Sequence, residues 1–240
     1  MSGHSKWSKI KREKQVKDKQ KGNLFSKLSR LITLAVGEGG GIKDPENNIK
    51  LRLALEKAKN FNLPKVNIER AIEKGIGPDR LQLKEMIFEA FAPGGISIII
   101  TATSDNVNRT ISEVRNVVEA QGGKIGEKGS VLYLFKKCGL ATFEISKVDE
   151  SAVFSFADKI ASFDIDNDEK YFYVFFPYEL LSKIREYLNG LTTDSIEVDY
   201  KANSLIEISN KRLADRIQNL VKTLEDLDDV QGIFTNAKNI

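Results

Sequence analysis

Apolar residues along the first third of the chain recur at helical spacing. Leu24, Phe25, Leu28, Leu31, Ile32, Ala35 and Val36 fall at steps of three and four, which places them on one helix face. Gly37 and Gly39-Gly40-Gly41 end that helix, because glycine readily takes the left-handed conformation past a helix end. A second helix is predicted from Asp44 as N-cap and Pro45 at its first position, with Ile49, Leu51, Leu53, Ala54, Leu55 and Ala58 turned inward. Pro64 opens a third, in which Ile68, Ala71 and Ile72 face the core until Gly75. The breaker cluster Gly75-Ile76-Gly77-Pro78 then reads as a linker.

From Leu83 the period changes to that of strands. Met86 to Phe91 and Ile96 to Thr103 flank Pro93-Gly94-Gly95, a hairpin signal. Ser104-Asp105 caps a helix from about Asn106 to Gln121, and Val131 to Phe135 is a strand. Strand Ala141 to Ile145, helix Glu150 to Ala161 and strand Tyr171 to Phe176 follow. A helix from Pro177 to Gly190 and strand Ser195 to Tyr200 come next. Strand Leu205 to Ile208, helix Lys211 to Leu227 and strand Gly232 to Thr235 complete the set. This order predicts an α+β multidomain protein: a three-helix domain at 23–78 and two small α/β sandwiches with mostly antiparallel sheets. Neither flank of 138–203 has enough strands for a stable sheet alone. That segment is therefore expected to be inserted into a domain made of 82–137 and 204–240.

Charge changes the picture at one end. The first thirty residues carry ten basic side chains against Glu13 and Asp18, while the remaining 210 are mildly acidic, with 27 basic and 32 acidic groups. Residues 1–22 thus form a basic arm that cannot build a core, the footprint of a polyanion partner. The same pattern also describes a solvated tail. Cys138 is the only cysteine and His4 the only histidine. A zinc site of His and Cys ligands and a Ser-His or Cys-His catalytic pair are therefore poorly supported. No apolar run reaches the roughly 20 residues of a membrane span, and a cytoplasmic protein with no membrane partner is expected.

Several stretches in order resemble the YebC/PmpR family, which includes mitochondrial translational activators. They are GHSKW at 3–7, F-x-x-L-x-R-x-I at 25–32, GGG at 39–41, and N-x-P-x-x-N-I-E-R-A-I-x-K-G at 62–75. PGG at 93–95, DN-x-NRT-x-x-EVR at 105–115 and GSV-x-Y-x-F at 129–135 continue the series. The resemblance is dense over the first 135 residues and weak beyond. It implies three domains, no catalytic activity, and either DNA binding in transcriptional regulation or action at the ribosome on proline-rich nascent chains. One departure is that Phe88 and Phe91 stand where relatives usually carry tyrosines.

The candidate nucleic-acid-binding residues are His4, Lys6, Trp7, Lys9, Lys11, Arg12, Lys14, Lys17, Lys19, Lys21, Lys27, Arg30 and Arg109. Lysines and arginines neutralise phosphates and release counterions. Trp7 among them stacks on a base, or docks on the helical domain as a latch. His4 contacts a phosphate or a 2′-hydroxyl, or is an incidental surface residue. Arg109, at a capped helix start, forks onto a phosphate or is held by neighbouring acids. Gly39-Gly40-Gly41 reads as an interhelix hinge, since no strand precedes it and no Walker lysine follows. Asp164, Asp166 and Asp168 open like a calcium loop, but Glu169 and Phe175 occupy the positions that need glycine and glutamate. The acids at 225–229 lie unfavourably at a helix C-terminus and have no reading beyond solubility.

Together these residues predict a non-enzymatic nucleic-acid-binding regulator without cofactor or metal. DNA or ribosomal RNA is the expected partner, with the ribosome as the alternative setting. No self-association helix stands out, so a monomer is expected. A protein–protein adaptor that works through the α/β domains is the third reading.

Overall fold

The computed structural model describes residues 18–77 and 83–238. Helices α1 (Asp18–Glu38), α2 (Ile49–Asn60) and α3 (Lys65–Ile76) form the N-terminal domain. Their predicted apolar faces meet in one core of Leu28, Ile32, Val36, Leu51, Ala54, Ala58 and Ala71. Gly75 lies inside α3 rather than after it. A Cβ there would sit 2.7 Å from both the Thr33 carbonyl oxygen and the Val36 Cβ, so glycine permits the close approach of α3 to α1. The cap of α2 also moves from its predicted place. Asp44 closes a local turn by accepting from the Glu46 N–H at 3.0 Å and the Asn47 amide at 2.7 Å. Asn48 is the N-cap, accepting from the Leu51 N–H at 3.0 Å. It also donates to the carbonyls of Ala35 at 2.9 Å and Ile42 at 3.0 Å, which ties α1 to α2 through one buried amide.

The first α/β sheet contains β1 (Lys84–Ala92), β2 (Ile96–Ser104), β3 (Lys124–Ile125) and β9 (Val230–Thr235), in the order β3-β1-β2-β9. Every pairing in it is antiparallel. Helices α4 (Val107–Ala120) and α6 (Lys211–Glu225) cover one face. Val114, Val118, Ile217, Leu220, Val221 and Leu224 press there on Ala90, Ile98, Ile100 and Ile233.

After β3 the chain leaves this sheet and builds a second from β4 (Phe135–Glu144), β5 (Asp164–Asn167), β6 (Tyr171–Pro177) and β7 (Ser195–Ala202), in the order β5-β6-β4-β7. All its pairings are antiparallel. Helix α5 (Glu150–Lys159) packs Val153, Phe156 and Ala157 on Phe143, Val174 and Ile196. The chain then returns through a short parallel pair, β8 (Ile206–Glu207) with β10 (Ala237–Lys238), and adds β9 beside β2. The protein is an α+β assembly of helices and antiparallel sheets.

Two predicted elements take other forms. The segment after Pro177 is not an α-helix but two tight turns, Tyr178–Ser182 and Ile184–Tyr187, whose inward residues Leu181 and Ile184 are three apart. Three is the period of a 3₁₀ turn. Residues 131–135 are not a strand: Leu132–Leu134 form a 3₁₀ turn and β4 starts at Phe135. The reason is Glu89. Its buried carboxylate accepts the N–H groups of Gly129 at 2.5 Å, Val131 at 2.6 Å and Leu132 at 2.7 Å, which removes them from any ladder. Burial alone would raise the Glu89 pKa, but these three donors hold it below the ordinary carboxylate range. A Glu89→Gln variant keeps the shape but turns one acceptor into a donor against a backbone N–H. It is expected to lose about 2 kcal/mol, read as a thermal midpoint several degrees lower.

Candidate nucleic-acid interface

Helix α1 carries the continuation of the basic arm, and three of its polar side chains point one way. Asn23, Lys27 and Arg30 are spaced four and three apart, so they share a helix face. That face meets the end of α6 and the loop into β9. The Asn23 amide donates to the Asp226 carbonyl at 2.9 Å, and the Lys27 ammonium to the Glu225 carbonyl at 2.5 Å. Arg30 donates to the Asp228 carbonyl at 2.9 Å and to the Asp229 carboxylate at 2.5 Å. The last carbonyls of a helix have no partner within it and carry its negative dipole end, so cations belong there. Burial pushes the Lys27 pKa down to about 8, against the upward pull of Glu225, Asp228 and Asp226.

Asp229 is 2% exposed and collects two further donors. Arg109 reaches its second oxygen at 2.9 Å and the Thr110 hydroxyl reaches the same oxygen at 2.7 Å. Burial would raise its pKa, but the bonds from Thr110 and Arg109 and the nearby Arg30 charge hold it below the usual range. Arg109 also donates to the Ser104 hydroxyl at 3.0 Å and to Asp105 at 3.2 Å. The α4 N-cap is Asn106, which accepts the Arg109 N–H at 3.0 Å, while Ser104 receives the Asn106 N–H at 3.1 Å.

The thirteen sequence candidates therefore divide. His4, Lys6, Trp7, Lys9, Lys11, Arg12, Lys14 and Lys17 lie outside the described residues, as does the Lys19 side chain. Lys21 is exposed at the start of α1. Lys27 is buried, and Arg30 and Arg109 converge on Asp229, so these three fasten the helical domain to the first α/β domain. Sequence reasoning missed Asp229 and the carbonyls of 225–228. The signal was an excess of base on α1 matched by an excess of acid at 225–229, but charges some 200 residues apart carry no register.

Other polar features have structural uses. Asp168 accepts the N–H groups of Lys170 and Tyr171, both at 2.9 Å, and the Tyr173 hydroxyl at 2.6 Å, closing the turn between β5 and β6. Among the described residues no group of His, Cys, Asp and Glu side chains is placed to hold a metal ion. Burial pushes the Cys138 thiol up to about 12, and its S–H points at the Asp199 carbonyl, so it is a poor nucleophile. Phe88 belongs to the core under α4 and α6, whereas Phe91 is 38% exposed on the opposite face of β1.

The three domains enclose a cleft of about 1000 Å³. Asn60 of α2 donates to the Asp194 carbonyl and Arg185 pairs with Glu56 in its lining, and Arg52 of α2 also donates to the Ser182 carbonyl. Acidic side chains in its lining outnumber basic ones, seven to five. A phosphate backbone needs the opposite balance, so the cleft is a poor nucleic-acid channel.

Residues 5–78 match the TACO1/YebC protein N-terminal domain, and residues 83–237 match the TACO1/YebC second and third domain. The chain belongs to the TACO1/YebC family. A relative from Aquifex aeolicus is 39% identical, over 98% of this chain and 95% of its own length. One from Chloroflexus aurantiacus is 41% identical over the same shares. Both are described as probable transcriptional regulatory proteins. The crystal structure of a conserved hypothetical protein from Aquifex aeolicus superposes with a TM-score of 0.86 at 37% identity, covering 95% of this chain and 94% of that one. Membership extends beyond residue 135, where the motif resemblance is weak. No helix among the described residues is long and apolar enough to cross a membrane.

Proposed function

We propose that this TACO1/YebC protein is a non-enzymatic, nucleic-acid-binding regulator of gene expression, a DNA-binding transcriptional regulator of the YebC/PmpR type in the cytoplasm. The observation that carries the reading is the concentration of base ahead of Asn23, on a body that is otherwise mildly acidic. Lys27, Arg30 and Arg109 are engaged internally, which leaves polyanion contact to the basic residues upstream of them. The lysines and arginines of that segment neutralise phosphates and release counterions, with the nucleic acid as their counter-surface. The names of the relatives support regulation.

One observation favours a second reading, a ribosome-associated factor that binds ribosomal RNA. The exposed face of α3 mixes Lys65, Arg70 and Lys74 with Glu69 and Glu73, and Lys65 pairs with Glu69 at 3.7 Å. A base-reading helix laid in a groove needs a face without such acids. Both readings share the arm. Deleting residues 1–17 removes six basic groups. It is expected to weaken polyanion binding about a hundredfold at moderate salt and to flatten the dependence of log K on log salt by about five. Titrations of the full chain and this variant against duplex DNA, beside ribosome co-sedimentation, check this. Tight duplex binding without ribosome association supports the transcriptional reading, and saturable ribosome binding with weak duplex binding supports the other. Retention of most affinity without the arm overturns both and supports an adaptor acting through the α/β domains.

A further inference from the structure

A second basic region lies in the body, away from the arm. Residues 124–137 carry Lys124, Lys128, Lys136 and Lys137 against the single acid Glu127, a positive island in a mildly acidic body. The same segment displays Tyr133, which at 70% exposure is the most exposed large hydrophobic side chain among the described residues. It stands on the 3₁₀ turn Leu132–Leu134 that replaced the predicted strand.

This display is rigidly built. Val131 and Phe135 on either side of Tyr133 are buried between the two sheets with Ile99, Tyr200 and Phe234. Glu89 clamps the N–H groups of Gly129, Val131 and Leu132, and the Asn203 amide donates to the Tyr133 carbonyl at 3.1 Å. Gly129, at φ 86°, takes the turn that lets all three N–H groups converge on one carboxylate. A second exposed ring stands on β1, the strand that carries Glu89. Phe91 is two residues from Glu89 on the same face of β1, is 38% exposed, and faces Lys124 across the β1–β3 pair. A Cβ at Gly126 would come within 3.1 Å of its ring, so the loop backbone packs on Phe91.

Two exposed rings on segments joined by the Glu89 clamp, with the exposed Lys124 opposite Phe91 and the exposed Lys128 in the clamped loop, match the way proteins hold unpaired bases. Bases stack on the rings and ammonium groups track the phosphates. An exposed tyrosine fixed by a buried carboxylate and four flanking hydrogen-bonded or buried positions has no role in the core. The local positive charge argues for a polyanion over a protein partner. We infer that Phe91 and Tyr133, with Lys124 and Lys128, form a stacking platform for unpaired nucleotides of a single-stranded nucleic acid. The inference rests on the nucleic-acid reading above and adds a site and a ligand class to it.

The test compares fluorescence anisotropy titrations of the full chain with a labelled fifteen-nucleotide single strand and an abasic strand of the same length. Wild type is expected to bind the base-bearing strand roughly tenfold more tightly, the size of one stacking contact, that on Tyr133. Tyr133→Ala should abolish that preference while leaving abasic binding unchanged, and Tyr133→Phe should keep it. Lys124→Ala with Lys128→Ala should weaken both strands and lower the salt slope by about one per lysine. A preference that survives Tyr133→Ala, or equal wild-type affinity for both strands, overturns the platform and leaves the arm-based reading intact. Wild type that binds neither strand nor duplex overturns both.

Discussion

An Asp229→Ala variant is expected to lose about 2–3 kcal/mol of stability and to loosen the helical domain from the first α/β domain. Asp229 is buried, accepts from Arg30, Arg109 and Thr110, and so joins three elements through one carboxylate. Its removal takes from the Thr110 hydroxyl, which is 1% exposed, one of its two partners, the other being the Asn106 carbonyl at 3.0 Å, and leaves Arg30 without its carboxylate while Arg109 keeps Asp105 at 3.2 Å. Such a loss exceeds the value of a surface ion pair because the Asp229 carboxylate is itself buried at 3% side-chain exposure, although its guanidinium partners are partly exposed and rehydrate once it is gone. Arg109→Ala is expected to cost far less, since its side chain is 45% exposed and Arg30 still neutralises Asp229. Differential scanning calorimetry reads the stability. Small-angle scattering reads the domain coupling through a larger radius of gyration in the Asp229→Ala variant alone. The pH dependence has a definite sign. Asp229 is held below its ordinary pKa, so its contribution is complete above pH 4 and fades as pH falls further. The alanine variant should lack that acid-side loss. Equal melting of the two proteins at pH 7 would remove Asp229 from its place as the junction.

The second large effect runs in the opposite direction of pH. Asp199 lies on β7, 5% exposed, opposite Cys138 of β4. Burial, reinforced by the Glu197 charge, raises its pKa to about 7, while Lys201 and the Tyr200 N–H pull it only part of the way back. The folded chain therefore binds this proton more tightly than the unfolded chain does. Stability falls as pH rises from about 4 through 7, by on the order of 4 kcal/mol. Asparagine offers the same acceptor oxygen to the Tyr200 N–H without a charge to desolvate. Asp199→Asn is thus expected to melt close to wild type at pH 4.5 and clearly above it at pH 8. A variant less stable than wild type at pH 8 would mean that the ionised carboxylate is itself held favourably.

The positions of these two aspartates show where the sequence stopped being informative. Asp199 alternates with Ile196, Val198 and Tyr200 in a strand pattern that marks Glu197, Asp199 and Lys201 for one face. Nothing in that pattern says whether the face is wet, because burial depends on β7 lying against the helical domain. Taken with α6 alone, Asp229 is a charge at the wrong end of a helix. The cations that answer the α6 C-terminus come from α1, where charge pattern alone marks them for a polyanion. Glu89 is the same case on a smaller scale. An acid in an apolar strand reads as an exposed residue until three backbone donors are found above it.

What the sequence determined by itself is local. The helix faces of the first domain, the hairpin at 93–95 and the capped start of α4 follow from residue spacing, glycine and side-chain capping, which act within a few residues. The order of strands and helices also carried the α+β class, and the ordered motifs carried the family. Only the tertiary structure decided which charges face water. A lysine on α1 is a phosphate ligand if solvent surrounds it and a helix cap if the end of α6 arrives there, and the two states have the same sequence. The cost of burying an unpaired charge makes that choice a property of the assembled domains.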